Sequence, residues 1–399
     1  MEIHARRVGL AAIPGVLALA LGAILVRSAL WTSLGVPTTG AHFGDLRVIL
    51  LASECAQHES DWSTASTACN PGMAIYNYPS LWARLFAILG ITADSASAVA
   101  FFFIILFALA VSALTFLSLT SGNSWFPTLL MSLAAVSPPV LLAFERGNID
   151  LVIFTLTAVS ILLFVTSRQR SSAVVLGLAT FLKLFPVGSI LMLLTATRRK
   201  TSTLITYAIT TTVGLLLVVR DLPIIYTRTP ALDGASFGSA VLPLLALNHA
   251  GLPGQAALAK ALGIGFFAAV TIAMLMVSRG KRDHLRLSTL ADQLSANLVA
   301  TAMVLAGGGS FLVAYMIGPS FDYRLITLIP LISGLARVGT SLARLAAIAV
   351  LLQMLLSYST FIGAAEYLSD LMLLLIAPGL AVVLWKSIQS HSAATRVMN

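Results

Sequence analysis

Apolar runs close to 20 residues long recur along the whole chain, and this feature limits the fold more than any other. A helix needs about 20 apolar residues to cross the ~30 Å hydrocarbon core of a bilayer. Of the 399 residues, 58% are hydrophobic and 10% are charged, whereas about 25% of the residues of a soluble domain are charged. The sequence therefore predicts an all-α, polytopic integral membrane protein and excludes nucleic acid as a partner.

The runs predict about ten to eleven transmembrane helices in one transmembrane domain, residues 1–399. Ten spans are expected at residues 8–30, 97–119, 127–143, 149–166, 201–219, 256–278, 293–314, 325–336, 345–363 and 371–385. Two long loops, residues 31–96 and 220–255, lie on the outer side of this map. A Gly-Gly-Gly run at 307–309 falls inside an apolar helix, which favours a packing site or a flexible point over a phosphate-binding loop.

The basic residues predict the orientation, because Lys and Arg collect in cytoplasmic loops. With a cytoplasmic N-terminus, 15 of the 24 Lys and Arg residues fall on the inner side. Both termini are then cytoplasmic. For a chain of bacterial origin, the long first loop faces the periplasm across the inner membrane.

Residues 173–196 are expected to form a re-entrant hairpin. Basic residues flank the segment on both sides, so that both flanks belong to the cytoplasm, and each arm of about ten residues spans roughly half the membrane. Pro186 interrupts the helical hydrogen bonds near the tip, where Lys183 also lies. The alternative is one kinked crossing, which would invert every later loop.

Ionisable residues at the outer ends of helices are the candidate functional residues, because such residues are costly at membrane depth. Asp45 can act as a general base toward a hydroxyl or cap a helix that begins at Leu46. In the turn at 145–150, Arg146 can bind a phosphate or pair with Asp150 four residues later.

Two further groups have similar alternatives. Lys183 needs a counter-charge at its predicted depth, and a lipid phosphate would supply one. Asp322 and Arg324 could hold each other or bind sugar hydroxyls and phosphate.

Cys55 and Cys69 lie in the first outer loop. In an oxidising periplasm we expect a disulfide between them, and closing a loop of that length contributes about 3 kcal/mol in the chain-entropy model. The alternative is a pair of free structural thiols.

Short motifs occur in a familiar order: GDLRV, YNYPSLW, ERGNIDLVIF, FLKLFP and SFDYRLITLIP. Over about residues 8–336, the chain resembles the C-type glycosyltransferases that use polyprenyl-phosphate sugars, and among them glycosyltransferase family 87 and its bacterial relatives. The resemblance implies a C-type membrane fold and transfer of a sugar, on the outer face of the membrane, with inversion at the anomeric carbon. The family includes mannosyltransferases, and the motifs leave the sugar open.

The resemblance also implies roles for the residues. The acidic base of the family's first outer loop maps onto Asp45. Lys183 and Arg146 fall where the family's basic residues face the donor phosphate. The remaining donor-phosphate or substrate-binding candidates are Arg47, Tyr78, Asn148, Asp150, Asp322 and Arg324.

The expected partners are membrane lipid, a polyprenyl-phosphate sugar as donor and a glycolipid or glycan as acceptor, with the protein acting as a monomer. No cofactor or metal is expected, because a phosphomonoester leaving group carries less charge than a diphosphate. A flippase or transporter of lipids or lipid-linked sugars is the competing class, in which Lys183 and Arg146 would line a passage.

Overall fold

The computed structural model describes residues 2–25, 31, 36, 42–56, 78–119, 125–196, 200–223, 225, 236–252, 254–279, 286–317, 320–357 and 365–398. Helices make up most of these residues, which confirms the all-α membrane fold. In chain order the α-helices are α1 Glu2–Leu25, α2 Gly44–Ala56, α3 Ser80–Ile88, α4 Ala96–Leu119, α5 Phe126–Ala135, α6 Pro138–Arg146, α7 Asp150–Val165, α8 Gln169–Leu182, α9 Ile190–Leu193, α10 Lys200–Val218, α11 Val241–His249, α12 Ala256–Arg279, α13 Leu287–Ser295, α14 Leu298–Ile317, α15 Leu328–Val338, α16 Ser341–Leu356 and α17 Ala365–Met398. The described chain also contains three 3₁₀ segments, Ala93–Ser95, Phe185–Ser189 and Asp322–Thr327, and two short strands, β1 Ser236–Phe237 and β2 Ser320–Phe321.

Six of the described helices are long and apolar enough to cross a bilayer. They contain residues Ala5–Ile24, Ala93–Leu119, Lys200–Val218, Ala256–Ser278, Leu298–Ile317 and Leu368–Ser390. The α5–α6 pair forms a seventh span if both helices are counted together. Its 43° bend falls where Pro138 and Pro139 begin α6, because proline has no N–H to continue the hydrogen-bond ladder of α5.

The other predicted spans correspond to shorter elements. Residues 149–166 contain the apolar helix α7, and the predicted span at 345–363 overlaps the apolar helix α16, which begins four residues earlier. Residues 325–336 contain the end of a 3₁₀ segment and most of α15. Residues 328–336 of α15 are all buried. A helix that is enclosed by other helices in this way need not match the thickness of the lipid.

Helix α14 lies at the centre of the bundle, with 78% of its most apolar stretch buried, whereas only 11% of the most apolar stretch of α12 is buried. Side chains on α12 therefore face mainly outward, where lipid surrounds a membrane protein. Helix α14 also carries the Gly-Gly-Gly run. The central position of this run agrees with the packing role predicted from the sequence.

The segment that follows α8 returns toward the level at which α8 begins. We call residues 173–196 the hairpin, and its re-entry into the membrane from one side stays a prediction. Helices α8 and α10 pack side by side and run in the same direction: Arg170 Nε donates to Ser202 Oγ at 2.7 Å, and Thr180 Oγ1 lies 3.1 Å from Tyr207 Oη. Two neighbouring helices can be parallel only if the chain between them comes back. The rising arm, at 14 residues, is longer than the ten expected.

The tip of the hairpin rests directly on the backbone of α14. A Cβ atom on Gly188 would lie 2.0 Å from the carbonyl oxygen of Gly309, and one on Gly309 would lie 2.1 Å from that of Gly188. Ser189 Oγ adds a hydrogen bond of 2.8 Å to the carbonyl oxygen of Ala306 and lies 2.7 Å from Ser310 Oγ. Glycine is needed on both sides because a side chain would separate the two backbones.

Two loop segments are joined by a short antiparallel pairing. Strand β1, from the second predicted outer loop, pairs with β2, and Ser236 lies opposite Phe321. Strand β2 is followed at once by the 3₁₀ segment Asp322–Thr327. The pairing therefore anchors the segment that carries Asp322 and Arg324.

Cys55 lies near the end of α2 and is disulfide-bonded. The chain has one other cysteine, Cys69, which lies outside the described residues.

We predict that single cysteines introduced by Arg168→Cys and Lys200→Cys label from the same side of the membrane. The parallel packing of α8 and α10 places both positions at the same end of the bundle. A membrane-impermeant maleimide applied to intact cells and to inverted vesicles would measure the side. Labelling from opposite sides would contradict the hairpin and support a single crossing.

Candidate active site

Asp45 lies in the first turn of α2, which begins at Gly44. The helix therefore starts before Leu46, and Asp45 is inside it, not at the capping position that the alternative interpretation required. The backbone N–H of Phe43 donates to the carbonyl oxygen of Glu145 at 2.8 Å. This bond fixes the start of α2 against the turn that follows α6.

In that turn, Gly147 caps the C-terminal end of α6. Gly147 has a left-handed backbone with φ of 58°, and the N–H of Asn148 donates to the carbonyl oxygen of Ala143 at 2.9 Å. Glycine adopts this conformation without the steric cost that other residues bear. The cap reverses the chain and turns the side chain of Asn148 into the protein, where it is fully buried.

Asn148 connects the two halves of the site. Its Nδ2 donates to Asp45 Oδ2 at 2.5 Å and to the hydroxyl of Tyr78 at 3.3 Å. Its Oδ1 accepts from the backbone N–H of Asp150 at 2.9 Å and so satisfies the first turn of α7. One amide therefore orients the carboxylate of Asp45 and the start of the helix that carries Asp150.

Lys183 and Asp150 form an ion pair, with 2.6 Å between Lys183 Nζ and Asp150 Oδ1. The reciprocal hydrogen bonds of Ser160 and Ser172, at 3.0 and 2.8 Å, hold α7 and α8 antiparallel. The beginning of α7 and the residue after α8 consequently meet. The tip of the hairpin thus reaches the level of the turn at 145–150.

Aromatic rings cover the ammonium group of Lys183. Its Nζ lies 5.3 Å from the ring centre of Tyr78 and 5.6 Å from that of Tyr323. A cation over an aromatic face is attracted by the ring quadrupole. The two rings fix the direction in which Lys183 presents its charge.

Arg324 approaches the same carboxylate from a different element. Its Nε lies 4.0 Å from Asp150 Oδ2, and its guanidinium donates to Ser320 Oγ at 2.9 Å. Asp322 begins the same 3₁₀ segment and is buried. Lys183 and Arg324 are far apart in sequence, and Asp150 brings them together.

Two other predicted cations lie at the same turn and at the start of α2. Arg146 Nε lies 3.1 Å from Glu145 Oε2. Arg47 Nε donates to the carbonyl oxygen of His42 at 3.1 Å, at an exposed position. Arg47 therefore lies at the rim of the site. Arg146 and Lys183 are close enough to Asp45 for their charges to favour its ionised form and so to act against any rise in its pKa.

The surroundings of Asp45 and Tyr78 change their acidity. Burial raises the pKa of Asp45, and the charge of Arg146 and the hydrogen bond from Asn148 oppose that effect. Burial also raises the pKa of Tyr78 well above its usual value, with a further contribution from the charge of Asp45. The phenol of Tyr78 thus remains protonated at neutral pH.

The structure brings most of the predicted site residues into one group. Contacts and charges connect Asp45, Tyr78, Arg146, Asn148, Asp150, Lys183 and Arg324. Two participants were missed, Glu145 and Tyr323. Glu145 is fully buried beside Arg146, and Tyr323 lies between two predicted residues in SFDYR. Their place in the quoted motifs was the available signal.

Residues 76–306 match the model of a protein family described as glycosyltransferase family 87. The match covers more than half of the chain and includes Tyr78, Asn148 and Lys183. Asp45 and Arg324 lie outside the matched range. A comparison with curated proteins finds none that matches the chain.

We predict that Gly147→Ala destabilises the protein more than Gly90→Ala does. Both glycines have positive φ, at 58° and 65°, so both variants bear the left-handed cost of about 1–2 kcal/mol. A Cβ at 147 would also lie 3.1 Å from Leu46 Cβ, whereas a Cβ at 90 meets nothing within 4 Å. Thermal unfolding in detergent would measure the difference. Equal losses of stability in the two variants would show that α2 can move away from the turn without cost.

Proposed function

The chain belongs to glycosyltransferase family 87, and from this membership and the geometry of the site we propose that it transfers a sugar from a polyprenyl-phosphate donor to a hydroxyl of a glycolipid or glycan acceptor. The observation that carries the proposal is the link through Asn148. This residue holds the carboxylate of Asp45 on one side and the start of the helix carrying Asp150, and with it Lys183, on the other.

In the proposed reaction, Asp45 is the general base. Its carboxylate accepts the proton of the acceptor hydroxyl while the hydroxyl oxygen bonds to the anomeric carbon of the sugar. The bond between that carbon and the phosphate oxygen breaks, and its electron pair leaves with polyprenyl phosphate. Attack opposite the leaving group inverts the anomeric carbon. Asn148 and Tyr78 both form hydrogen bonds with the carboxylate of Asp45, and these bonds orient it toward the acceptor in the proposed reaction.

Lys183, Arg146 and Arg324 are the proposed partners of the donor phosphate. Positive groups held in place before the reaction stabilise the charge that develops on a leaving phosphate. The leaving group has one phosphate, so these side chains provide the charge compensation in the proposal, and no metal or cofactor is required. Tyr78 and Asp322 are proposed to line the sugar site, and Arg47 the rim.

We place the site on the periplasmic side of a bacterial inner membrane, with both termini in the cytoplasm. The distribution of Lys and Arg supports this orientation. Membership of a glycosyltransferase family favours sugar transfer over the flippase or transporter that the same cations would permit. We propose that the protein works as a monomer, in which the contacts from Asp45 through Asn148 to Asp150 and Lys183 form one continuous network.

We expect Asp45→Asn to slow transfer at least a hundredfold, since general-base assistance contributes typically about 10²–10⁴ in rate. The variant should fold and bind the donor normally. Turnover of a polyprenyl-phosphate sugar by purified enzyme in detergent would measure the effect. Glu54→Gln on the same helix is the matched control: Glu54 Oε1 accepts from the N–H of Ala93 at 2.6 Å, and glutamine keeps an acceptor there.

Near-normal turnover by a folded Asp45→Asn protein would contradict the assignment. The base would then be sought at Asp150 or Asp322, both of which are buried. A loss of activity in Glu54→Gln as large as that in Asp45→Asn would indicate that the loss reflects α2 as a whole, not the base.

We predict that Asn148→Asp moves the acid limb of the kcat/KM profile to higher pH by at least about one unit. A base works only when deprotonated, so activity falls as the pH drops through the pKa of Asp45. A second carboxylate 2.5 Å from Asp45 raises that pKa further. Asn297→Asp is the control, because it makes the same substitution away from Asp45. Asn297 Oδ1 accepts hydrogen bonds from the backbone N–H of Ala300 and from Arg337 Nε. An unchanged acid limb in Asn148→Asp would contradict Asp45 as the titrating base.

A further inference from the structure

Asp150 has an unusual position among the charged groups of the site, because each of its oxygens faces a different cation. Oδ1 lies 2.6 Å from Lys183 Nζ, and Oδ2 lies 4.0 Å from Arg324 Nε. A phosphodiester offers two non-bridging oxygens in a similar way. The carboxylate of Asp150 therefore makes the same kind of contacts that the donor phosphate is proposed to make.

The exposure of the three side chains shows from which side a phosphate can approach. The side chain of Asp150 is 0% exposed, whereas those of Lys183 and Arg324 are 11% and 19% exposed. Lys183 and Arg324 are thus partly accessible from the open side, whereas Asp150 is not. A phosphate that approaches from the exposed side would contact Lys183 and Arg324, while Asp150 stays buried.

The backbone holds Asp150 in that place. Its N–H is bonded to Asn148 Oδ1 at 2.9 Å, and the next residues begin the buried helix α7. Because the backbone is fixed and the side chain is fully buried, the carboxylate has no solvated position to which it could turn when another anion arrives. Donor phosphate and Asp150 must share the two cations.

We infer that Asp150 is a positioning residue that limits how tightly the site holds phosphate, and so allows polyprenyl phosphate to leave after transfer. The inference rests on the proposed function of Lys183 and Arg324 as phosphate ligands. Before transfer, the donor phosphodiester carries one negative charge. After transfer, the free phosphate carries up to two, and its repulsion from Asp150 increases accordingly.

The first test compares the binding of farnesyl phosphate by wild type and Asp150→Asn. Without the carboxylate, the phosphate becomes the main counter-charge of Lys183 and Arg324, so we expect binding at least about fivefold tighter. The KM for a polyprenyl-phosphate sugar should fall as well. Calorimetry in detergent would give the dissociation constant, and farnesol, which lacks the phosphate, would control for the apolar tail.

Asp221→Asn is the matched control. Asp221 is a buried carboxylate whose Oδ2 accepts from the N–H of Ser80 at 2.7 Å, and the oxygen of asparagine can keep this bond. The substitution removes one buried negative charge without touching the cations described here. Its affinity for farnesyl phosphate should equal that of wild type.

A second comparison covers the case in which Asp150→Asn fails to fold because two buried cations lose their counter-charge. Lys183→Met leaves Asp150 facing Arg324 alone. The double variant Asp150→Asn/Lys183→Met should unfold at a higher temperature than Lys183→Met. It should also bind farnesyl phosphate at least about fivefold more tightly than that single variant, because Asp150 no longer competes for Arg324.

The outcomes separate this inference from the proposed function. If wild type binds farnesyl phosphate no more tightly than farnesol, the assignment of the cations to phosphate is wrong. If wild type distinguishes the two ligands but removal of Asp150 leaves the affinity unchanged or weaker in both backgrounds, the cations bind phosphate and Asp150 only holds them in place. Tighter binding in either background, with Asp221→Asn unchanged, supports the inference.

Discussion

The ion pair between Lys183 and Asp150, 2.6 Å apart, is the interaction on which the site depends. Burying either charge alone would be costly, and removing one member of such a pair leaves the other uncompensated. The pair connects the tip of the hairpin to the start of α7. Asn148 extends the connection to Asp45, so a proposed base and a proposed phosphate ligand belong to one network.

The packing of the hairpin provides the support that such a network needs. Gly188 and Gly309 allow the backbone of the hairpin to contact that of α14, the most buried of the six candidate spans. Backbone contacts of this kind tolerate little movement, because even one methyl group would force the two segments apart. Lys183, five residues before Gly188, is thereby anchored close to the most buried helix of the six.

Much of the site could be predicted from sequence because charged residues are rare in this chain, and each one near a span end is conspicuous. Asp45, Arg146, Lys183 and Arg324 were found in this way. Glu145 and Tyr323 were not, since each is adjacent to a more obvious candidate. Their positions in the motifs hint at a role, but the contacts that define it, with Arg146 and Lys183, are visible only in the folded chain.

The sequence by itself determined the all-α membrane fold and the set of charged residues, and it predicts the hairpin, because hydrophobic length and charge distribution act locally along the chain. Only the tertiary structure decided the pairing. Arg146 could pair with Asp150 by helical spacing, but it contacts Glu145, and Asp150 instead faces Lys183 and Arg324. The choice follows from the antiparallel packing of α7 with α8 and from the attachment of β2, which bring distant residues within reach of one carboxylate.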